Sequence, residues 1–377
     1  MKVYLDQTVL EAAKERLRWV FDEFETVVAS VSGGKDSTVV FELALEIARE
    51  KGRLPLKVMF LDQEAEWQAT IDAVRVIMEN PDVEPFWIQV PFKLFNATST
   101  EEHWLQCWDP KEESRWMRPK ESYAVKENTF GTERFSKMFG GIAKALFPPK
   151  TAYVAGVRCE ESPTRSAGLT GRASYKWVTW ARGLEGNRGN VTFYPIYDWT
   201  TADVWKAIHD HSWPYCRLYD TLYRYGVPTT RMRVSNVHHE TAVWSLFVLQ
   251  EIEPKTYERL VGRISGIDMA GKMGIDDYFP KSLPPMFGSW KEYRDYLLEK
   301  LITNEKWVAG FKKTFGMHDE IFEGHKSDQE LHSMHVMSIL CNDWEGVKLG
   351  NYLNAPQNLD LVQAWRTRKR EEKLANV

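Results

Sequence analysis

The residues best suited to chemistry lie in segment 30–37, which reads S-V-S-G-G-K-D-S. Glycines let an oxyanion approach the backbone, while Lys35 supplies positive charge and the serine hydroxyls supply hydrogen-bond donors. The segment follows the apolar run TVVAS and precedes a stretch of helical periodicity from 36 to about 50. A helix N-terminus presents backbone N–H groups and a positive dipole end, so this segment is predicted to bind a phosphate.

Two common phosphate-binding motifs do not describe this segment. A Walker A loop requires G-x-x-x-x-G-K-[ST], but Lys35 is followed by Asp36 and the position five before Gly34 is Ala29. The dinucleotide motif G-x-G-x-x-G also fails, because Gly33 and Gly34 are adjacent and no third glycine follows. What remains is S-G-G-K-D-S between a strand and a helix.

This pattern resembles the pyrophosphate-binding loop of the PP-loop ATP pyrophosphatase superfamily, whose members cleave ATP between the α and β phosphates. Three later segments resemble elements of the phosphoadenosine phosphosulfate reductase family within it: GVRCEESPTR (156–165), YPIYDWTTADVWKAI (194–208) and LYDTLYRYGVP (218–228). The resemblance covers roughly residues 25–235. The overall layout is also similar to the immunoglobulin-binding-regulator-like branch of phage and bacterial proteins.

The resemblance implies an open, mostly parallel α/β sheet with helices on both faces, and it implies ATP with Mg²⁺ as ligands. The loop residues expected to hold the nucleotide are Ser30, Ser32, Gly33, Gly34, Lys35, Asp36 and Ser37. Asp36 is the expected Mg²⁺ ligand, although an aspartate at a helix start is as often a cap. Asp62, which ends the second predicted strand, and Gly156, in the later motif, are further expected nucleotide contacts.

Two arginines of the later motif are candidate catalytic residues beside Lys35. Arg158 and Arg165 can form bidentate bonds to phosphate or sulfate, which lysine cannot imitate. We expect them to contact the α-phosphate or an acceptor, with Glu161 orienting one of them. The alternative is that they form ordinary surface ion pairs.

One departure from the family pattern bears on the reaction. The reductases of this family use a late cysteine in an E-C-G-[IL]-H context, whereas the late Cys341 lies in SILCNDWE, an apolar helical stretch without that glycine and histidine. We therefore predict release of pyrophosphate from ATP, with AMP formation or adenylyl transfer to an oxyanion or nucleic-acid-linked acceptor. A sulfonucleotide reductase and a non-catalytic nucleotide-binding regulator remain open as alternatives.

A second region with functional potential is segment 165–188, read as a mobile loop. It carries five basic residues interleaved with aromatic ones: Arg165, Arg172, Lys176, Arg182 and Arg188, with Tyr175, Trp177 and Trp180. This composition suits a local nucleic-acid contact. It suits a lid over the nucleotide equally well, and the sequence does not separate the two.

Strands alternating with helices across the first two thirds of the chain predict the elements that position these residues. We expect an N-terminal helix in 1–24, a catalytic domain in 25–235 and a helical region in 236–377 that could bind a protein partner. A polar, tryptophan-rich connection (93 to about 131) separates the third predicted strand from the next predicted helix. The terminal segment AWRTRKREEKLANV is read as a solvated helix end.

Composition narrows the class of protein. The 377 residues include 49 Lys+Arg and 53 Asp+Glu, and the formal net charge of -4 excludes a globally basic nucleic-acid binder. Four scattered cysteines without a C-x-x-C pair argue against a disulfide scaffold and a cysteine-rich zinc site. The charged N-terminal segment argues against a signal peptide or membrane anchor, so a cytoplasmic location without membrane contact is expected.

Overall fold

The computed structural model describes residues 5–99, 101–184, 188–229, 232–234, 237–238, 245–272, 280–341, 343 and 346–375. The chain divides into two compact units. The first, here called the sheet unit, comprises Met1–Leu94 and Gln106–Val237. The second, the helical unit, comprises Phe95–Leu105 and His238–Val377. The sequence pattern does not predict that 95–105 belong to the helical unit.

Eight strands are described. They are β1 (Thr26–Ser30), β2 (Leu56–Leu61), β3 (Val83–Ile88), β4 (Phe92–Phe95), β5 (Trp104–Cys107), β6 (Thr151–Val154), β7 (Ala181–Gly183) and β8 (Val191–Phe193). Six of them form one sheet in the order β3-β2-β1-β6-β8-β7, in which only the β7–β8 pair is antiparallel. Strands β4 and β5 form a separate two-stranded sheet. The predicted mostly parallel α/β sheet is confirmed.

The helices complete both units. The sheet unit has α1 (Val9–Glu23), α2 (Lys35–Glu50), α3 (Gln68–Met78), α4 (Phe135–Leu146), α5 (Pro163–Thr170), α6 (Thr201–Asp210) and α7 (Leu218–Arg224). The helical unit has α8 (Ser245–Ile252), α9 (Pro254–Arg263), α10 (Ile267–Lys272), α11 (Trp290–Lys300), α12 (Glu305–Phe322), α13 (Asp328–Leu340), α14 (Val347–Leu353) and α15 (Leu359–Ala375). The predicted helical extension is thus confirmed, although 239–244 of its first predicted helix lie outside the described residues.

The core of the sheet unit explains why its strands read as continuous apolar runs. The central residues of β1 and all four residues of β6 are buried, as parallel strands covered by helices require. Helix α1 is fixed to this core: Arg16 donates to both oxygens of Asp198 at 2.7 and 2.6 Å, and Trp199 Nε1 donates to the Val9 carbonyl at 3.0 Å. These contacts give Asp198 and Trp199 a structural role.

Two segments, read from the sequence as a connection and a mobile loop, contain regular elements. The connection 93–131 contains the β4–β5 pair and a 3₁₀ helix, Pro110–Arg115. The segment 165–188 contains most of α5 and all of β7, so its described part is not a simple loop, while 185–187 lie outside the description. Strand β7 has only three residues, two of them exposed, so it leaves no alternating pattern for a sequence to reveal.

The helical unit has its own apolar core, in which Trp307, Phe311 and Phe315 of α12 pack with Val336 and Ile339 of α13. Helix α15 carries the predicted terminal helix. Across the described residues, every helix is too short or too polar to cross a membrane.

Candidate anion-binding site

The site lies at the carboxyl end of β1. Strand β1 pairs with β2 on one side and with β6 on the other. The connections that follow neighbouring strands therefore run in opposite directions, and a crevice opens between them. The loop after β1 and the loop after β6 meet in it. A Cβ atom on Gly156 would lie 2.5 Å from the Asp36 carbonyl carbon, so the close approach of these loops requires glycine at this position.

The loop after β1 is braced by its own hydrogen bonds. The Ser32 N–H donates to Ser37 Oγ at 3.1 Å, and Ser37 Oγ donates to the Gly34 carbonyl at 2.9 Å. Gly33 has φ +71°, and a Cβ there would lie 2.6 Å from Thr70 Cγ2 of α3. Gly34 is the N-cap of α2 and supplies no side-chain cap. The backbone N–H groups at the start of α2 therefore follow a glycine that places no side chain over them, and this arrangement suits a bound anion.

Lys35 begins α2 and is held by two neighbours. Its Nζ lies 2.8 Å from Asp36 Oδ2, and its backbone N–H donates to the Tyr219 hydroxyl at 3.3 Å. Burial raises the pKa of Tyr219 above its usual range, so the hydroxyl stays protonated. Tyr219 was not singled out from the sequence, although it belongs to the quoted segment LYDTLYRYGVP.

Arg158 does not extend toward a ligand, contrary to the prediction. Its side chain is only 4% exposed. Its guanidinium contacts Asp36 Oδ1 at 2.5 Å, Glu160 Oε2 at 2.8 Å, the Trp199 carbonyl at 3.2 Å and Thr201 Oγ1 at 3.3 Å. It clamps the loop after β6 to the starts of α2 and α6, which makes it a positioning residue.

Arg165 is the accessible arginine at the site. Its side chain is 49% exposed and pairs with Glu161, whose other oxygen accepts the Arg158 N–H at 3.2 Å. Glu161 thus pairs with Arg165, and its orienting role stays a prediction. Burial first, and then the positive charge of Arg233, lower the pKa of Arg165. An exposed guanidinium group at the crevice attracts an anion.

Asp62 was predicted to approach the nucleotide, and its side chain is instead inside the protein. It is 0% exposed. Oδ1 accepts from the Glu64 N–H at 2.9 Å and from Arg118, while Oδ2 accepts from Trp87 Nε1 at 2.7 Å and Gln89 Nε2 at 2.9 Å. With both oxygens filled, Asp62 holds the end of β2 in place.

The carboxylates at the loop are all paired with neighbouring side chains. Both oxygens of Asp36 are taken, by Lys35 and Arg158. Glu160 is bound by Arg158 and Thr201, and Glu161 by Arg165 and the Arg158 backbone. Three carboxylates are thus balanced by three cationic side chains, so the predicted Mg²⁺ ligand Asp36 has both oxygens paired in this arrangement.

The basic and aromatic segment 165–188 is partly held against α1. Trp177 is 66% exposed, with its ring centroid 5.3 Å from that of Trp19. Tyr175 donates to Glu23 at 3.0 Å, and Arg188 donates to the Lys144 carbonyl at 2.9 Å, so it ties down the end of α4. Both uses of this segment, lid or nucleic-acid contact, stay predictions.

Cys341 lies at the C-cap of α13 and is 0% exposed. None of the four cysteines, all of which are described, forms a disulfide. Cys159 is half-buried in the loop after β6, next to Arg158.

Comparison with known proteins gives two family matches. The phosphoadenosine phosphosulfate reductase domain matches residues 26–226, and a domain of unknown function (DUF3440) matches 226–323. The uncharacterized protein YbdN of Escherichia coli (strain K12) is 30% identical over 318 residues, covering 80% of this chain and 77% of its own length. An adenosine 5'-phosphosulfate reductase of Staphylococcus saprophyticus is 23% identical over 213 residues, covering 56% of this chain and 72% of its own.

Solved structures give weaker matches. The phosphoadenylyl-sulfate reductase of Candida auris has a TM-score of 0.33 at 16% identity, covering 59% of this chain and 94% of its own. The FMN adenylyltransferase of Candida glabrata, with FAD and pyrophosphate, has a TM-score of 0.35 at 14% identity, covering 58% and 64%.

Proposed function

The chain belongs to the phosphoadenosine phosphosulfate reductase family of nucleotide-binding enzymes, and from this premise we propose that it cleaves ATP between the α and β phosphates. The observation that carries the proposal is the glycine-capped start of α2, where segment 32–37 presents backbone and hydroxyl donors beside Lys35. Such a loop suits the pyrophosphate that leaves during α–β cleavage.

In the proposed reaction an acceptor oxygen attacks the α-phosphorus, and the bond from this phosphorus to the bridging oxygen breaks. The electron pair leaves with pyrophosphate, and the AMP moiety is joined to the acceptor, which is an oxyanion or a water molecule that releases a proton to solvent. Stabilisation of the leaving charge is the main catalytic task in such transfers. Lys35 would exchange Asp36 for the pyrophosphate, and Arg165 would face the α-phosphate or the acceptor.

Magnesium enters this proposal only as the ion that accompanies ATP in solution. Asp36 is paired with Lys35 and Arg158 in this structure, and no step is assigned to the ion.

The test is ³¹P NMR of the protein with ATP, Mg²⁺ and candidate oxyanions, which distinguishes pyrophosphate from orthophosphate release. We expect pyrophosphate, with its release abolished in Lys35→Ala and strongly reduced in Ser32→Ala. Lys206→Ala is the matched control, because Lys206 is 74% exposed on α6 and pairs only locally with Asp210. ATP that stays intact with every acceptor contradicts the proposal. Tight binding without turnover would favour a nucleotide-binding regulator.

Reduction of a sulfonucleotide is the second candidate, favoured by the name of the Staphylococcus relative. It requires an accessible thiol, and the burial of Cys341 counts against that residue. Thiol-dependent sulfite release from adenosine 5'-phosphosulfate would establish it. The variants Cys341→Ser and Cys159→Ser would then show which thiol forms the bond to sulfur.

A further inference from the structure

Three helices of the helical unit bring together polar side chains that the proposed reaction does not use. Asp319 of α12 and His332 and His335 of α13 form what we call the Asp–His cluster. His332 is 2% exposed and His335 is 0% exposed. The Asp319 side chain is 30% exposed, so the cluster is buried on one side and reachable by solvent on the other.

The possible ligand atoms of this cluster are close to one another. Asp319 Oδ1 lies 3.2 Å from His332 Nε2 and 4.0 Å from His335 Nδ1, and all three ligand atoms lie within 4.8 Å. Bonds of about 2.0–2.1 Å in a tetrahedral site place neighbouring ligand atoms roughly 3.4 Å apart. The ligand atoms therefore lie near the spacing of a tetrahedral site.

A positive group already occupies the centre of the cluster. Arg294 Nη1 of α11 lies 2.9 and 3.0 Å from the two Asp319 oxygens and 3.3 Å from His335 Nδ1. Because arginine only donates, His335 Nδ1 must accept and offer a lone pair. Its Nε2 then carries the proton and donates to His318 Nδ1 at 3.2 Å.

This tautomer is the one that a metal ligand needs. A ligating histidine usually donates its second ring N–H to a neighbour that fixes the ring, and His318 is that neighbour for His335. His332 brings a second imidazole, and its Nε2 also lies 3.3 Å from Asp328 Oδ1, a candidate fourth ligand.

We propose that the Asp–His cluster binds a divalent first-row transition-metal ion, which takes the place of the Arg294 guanidinium nitrogen. Two imidazoles and a carboxylate suit zinc or ferrous iron rather than magnesium or calcium. Arg294 keeps a partner after the exchange, because its Nε donates to Asp295 at 2.8 Å. The ion would join α12 to α13 and act as a structural link in the helical unit.

The test is titration of the metal-stripped full-length protein with Co²⁺, followed by its visible absorption, with Zn²⁺ as competitor. We expect one Co²⁺ ion that Zn²⁺ displaces, and an apparent Tm that rises with Zn²⁺ concentration. Binding should be lost in His335→Ala and in Asp319→Asn. His318→Ala should weaken it about 10–100-fold, as the loss of a supporting hydrogen bond does. His209→Ala is the matched control, since His209 is 90% exposed in the sheet unit.

Arg294→Met tests the exchange itself. If the guanidinium competes with the ion, this variant binds Co²⁺ more tightly than the unaltered protein. Equal or weaker binding by a folded Arg294→Met variant overturns the exchange. Absence of Co²⁺ binding by the unaltered protein overturns the site, whatever the variants do, so the outcome does not depend on any variant folding. Co²⁺ bands that survive both His335→Ala and Asp319→Asn also overturn it.

Discussion

Arg158→Met separates a buried clamp from a phosphate-binding arginine. The Arg158 side chain is 4% exposed and contacts two carboxylates, a carbonyl and a hydroxyl. Methionine fills similar space but donates no hydrogen bond. If these contacts hold the crevice together, the substitution must lower the free energy of unfolding of the sheet unit.

The expected loss of unfolding free energy depends on which contacts the partners of Arg158 retain. Removing one member of a buried ion pair costs about 3–5 kcal/mol. Asp36 keeps its ion pair with Lys35 at 2.8 Å, and the Glu160 side chain is 45% exposed to water. The negative charge of each carboxylate therefore stays partly paired or solvated. The Trp199 carbonyl loses its contact at 3.2 Å. We therefore expect the lower end of that range, about 3 kcal/mol.

The assay is urea unfolding followed by far-UV circular dichroism, comparing midpoints at equal m-values. Arg165→Met is the matched control in the same segment. Arg165 is 49% exposed and pairs with Glu161 four residues away, an arrangement worth about 0.5 kcal/mol. Arg165→Met should instead weaken ATP binding. If Arg158→Met lowers the free energy of unfolding by less than about 1 kcal/mol and also weakens ATP binding, Arg158 is not a clamp. Its predicted role in binding phosphate would then stand.

Three further predictions address other positions. Gly33→Ala should abolish nucleotide binding and destabilise the protein by more than about 1 kcal/mol. The reason is that Gly33 has φ +71° and that an added Cβ would collide with Thr70. Calorimetric titration with ATP measures the binding, and unchanged binding contradicts the prediction. Burial raises the pKa of the Glu42 carboxyl from its usual 4.5 to about 7. Ionisation of this carboxyl therefore lowers the free energy of unfolding as the pH rises from 4.5 through 7. Glu42→Gln should therefore raise the free energy of unfolding by about 2 kcal/mol near pH 8 and leave it unchanged near pH 4; equal effects at both would refute this. Asp62→Asn should cost about 3 kcal/mol in urea unfolding, because Arg118 loses its buried charged partner, without changing nucleotide affinity in the folded fraction.

Local patterns in the sequence predicted the mostly parallel sheet and placed segment 30–37 between a strand and a helix. The buried strands read as apolar runs because both faces of a parallel sheet are covered, and α2 follows its glycines directly. Strand β7 and the β4–β5 pair were missed, since three or four residues leave no resolvable period.

The roles of individual side chains depended on tertiary structure. Asp36, Asp62 and Arg158 have the chemistry of ligand-binding residues, but a charged group that is buried must be paired, and the partners come from distant segments. Arg118 lies 56 positions from Asp62, and Arg158 lies 122 from Asp36. Sequence spacing carries no information about such pairs.

The same contrast holds for the Asp–His cluster. The sequence determined that Asp328, His332 and His335 recur at the spacing of one helix face. Only the packing of α11 and α12 against that face brought Asp319 and Arg294 to it, because contacts between helices depend on crossing geometry that helical periodicity does not record. The sequence by itself determined which groups this chain has for binding anions and metals, and the tertiary structure decided which of them are already bound to each other.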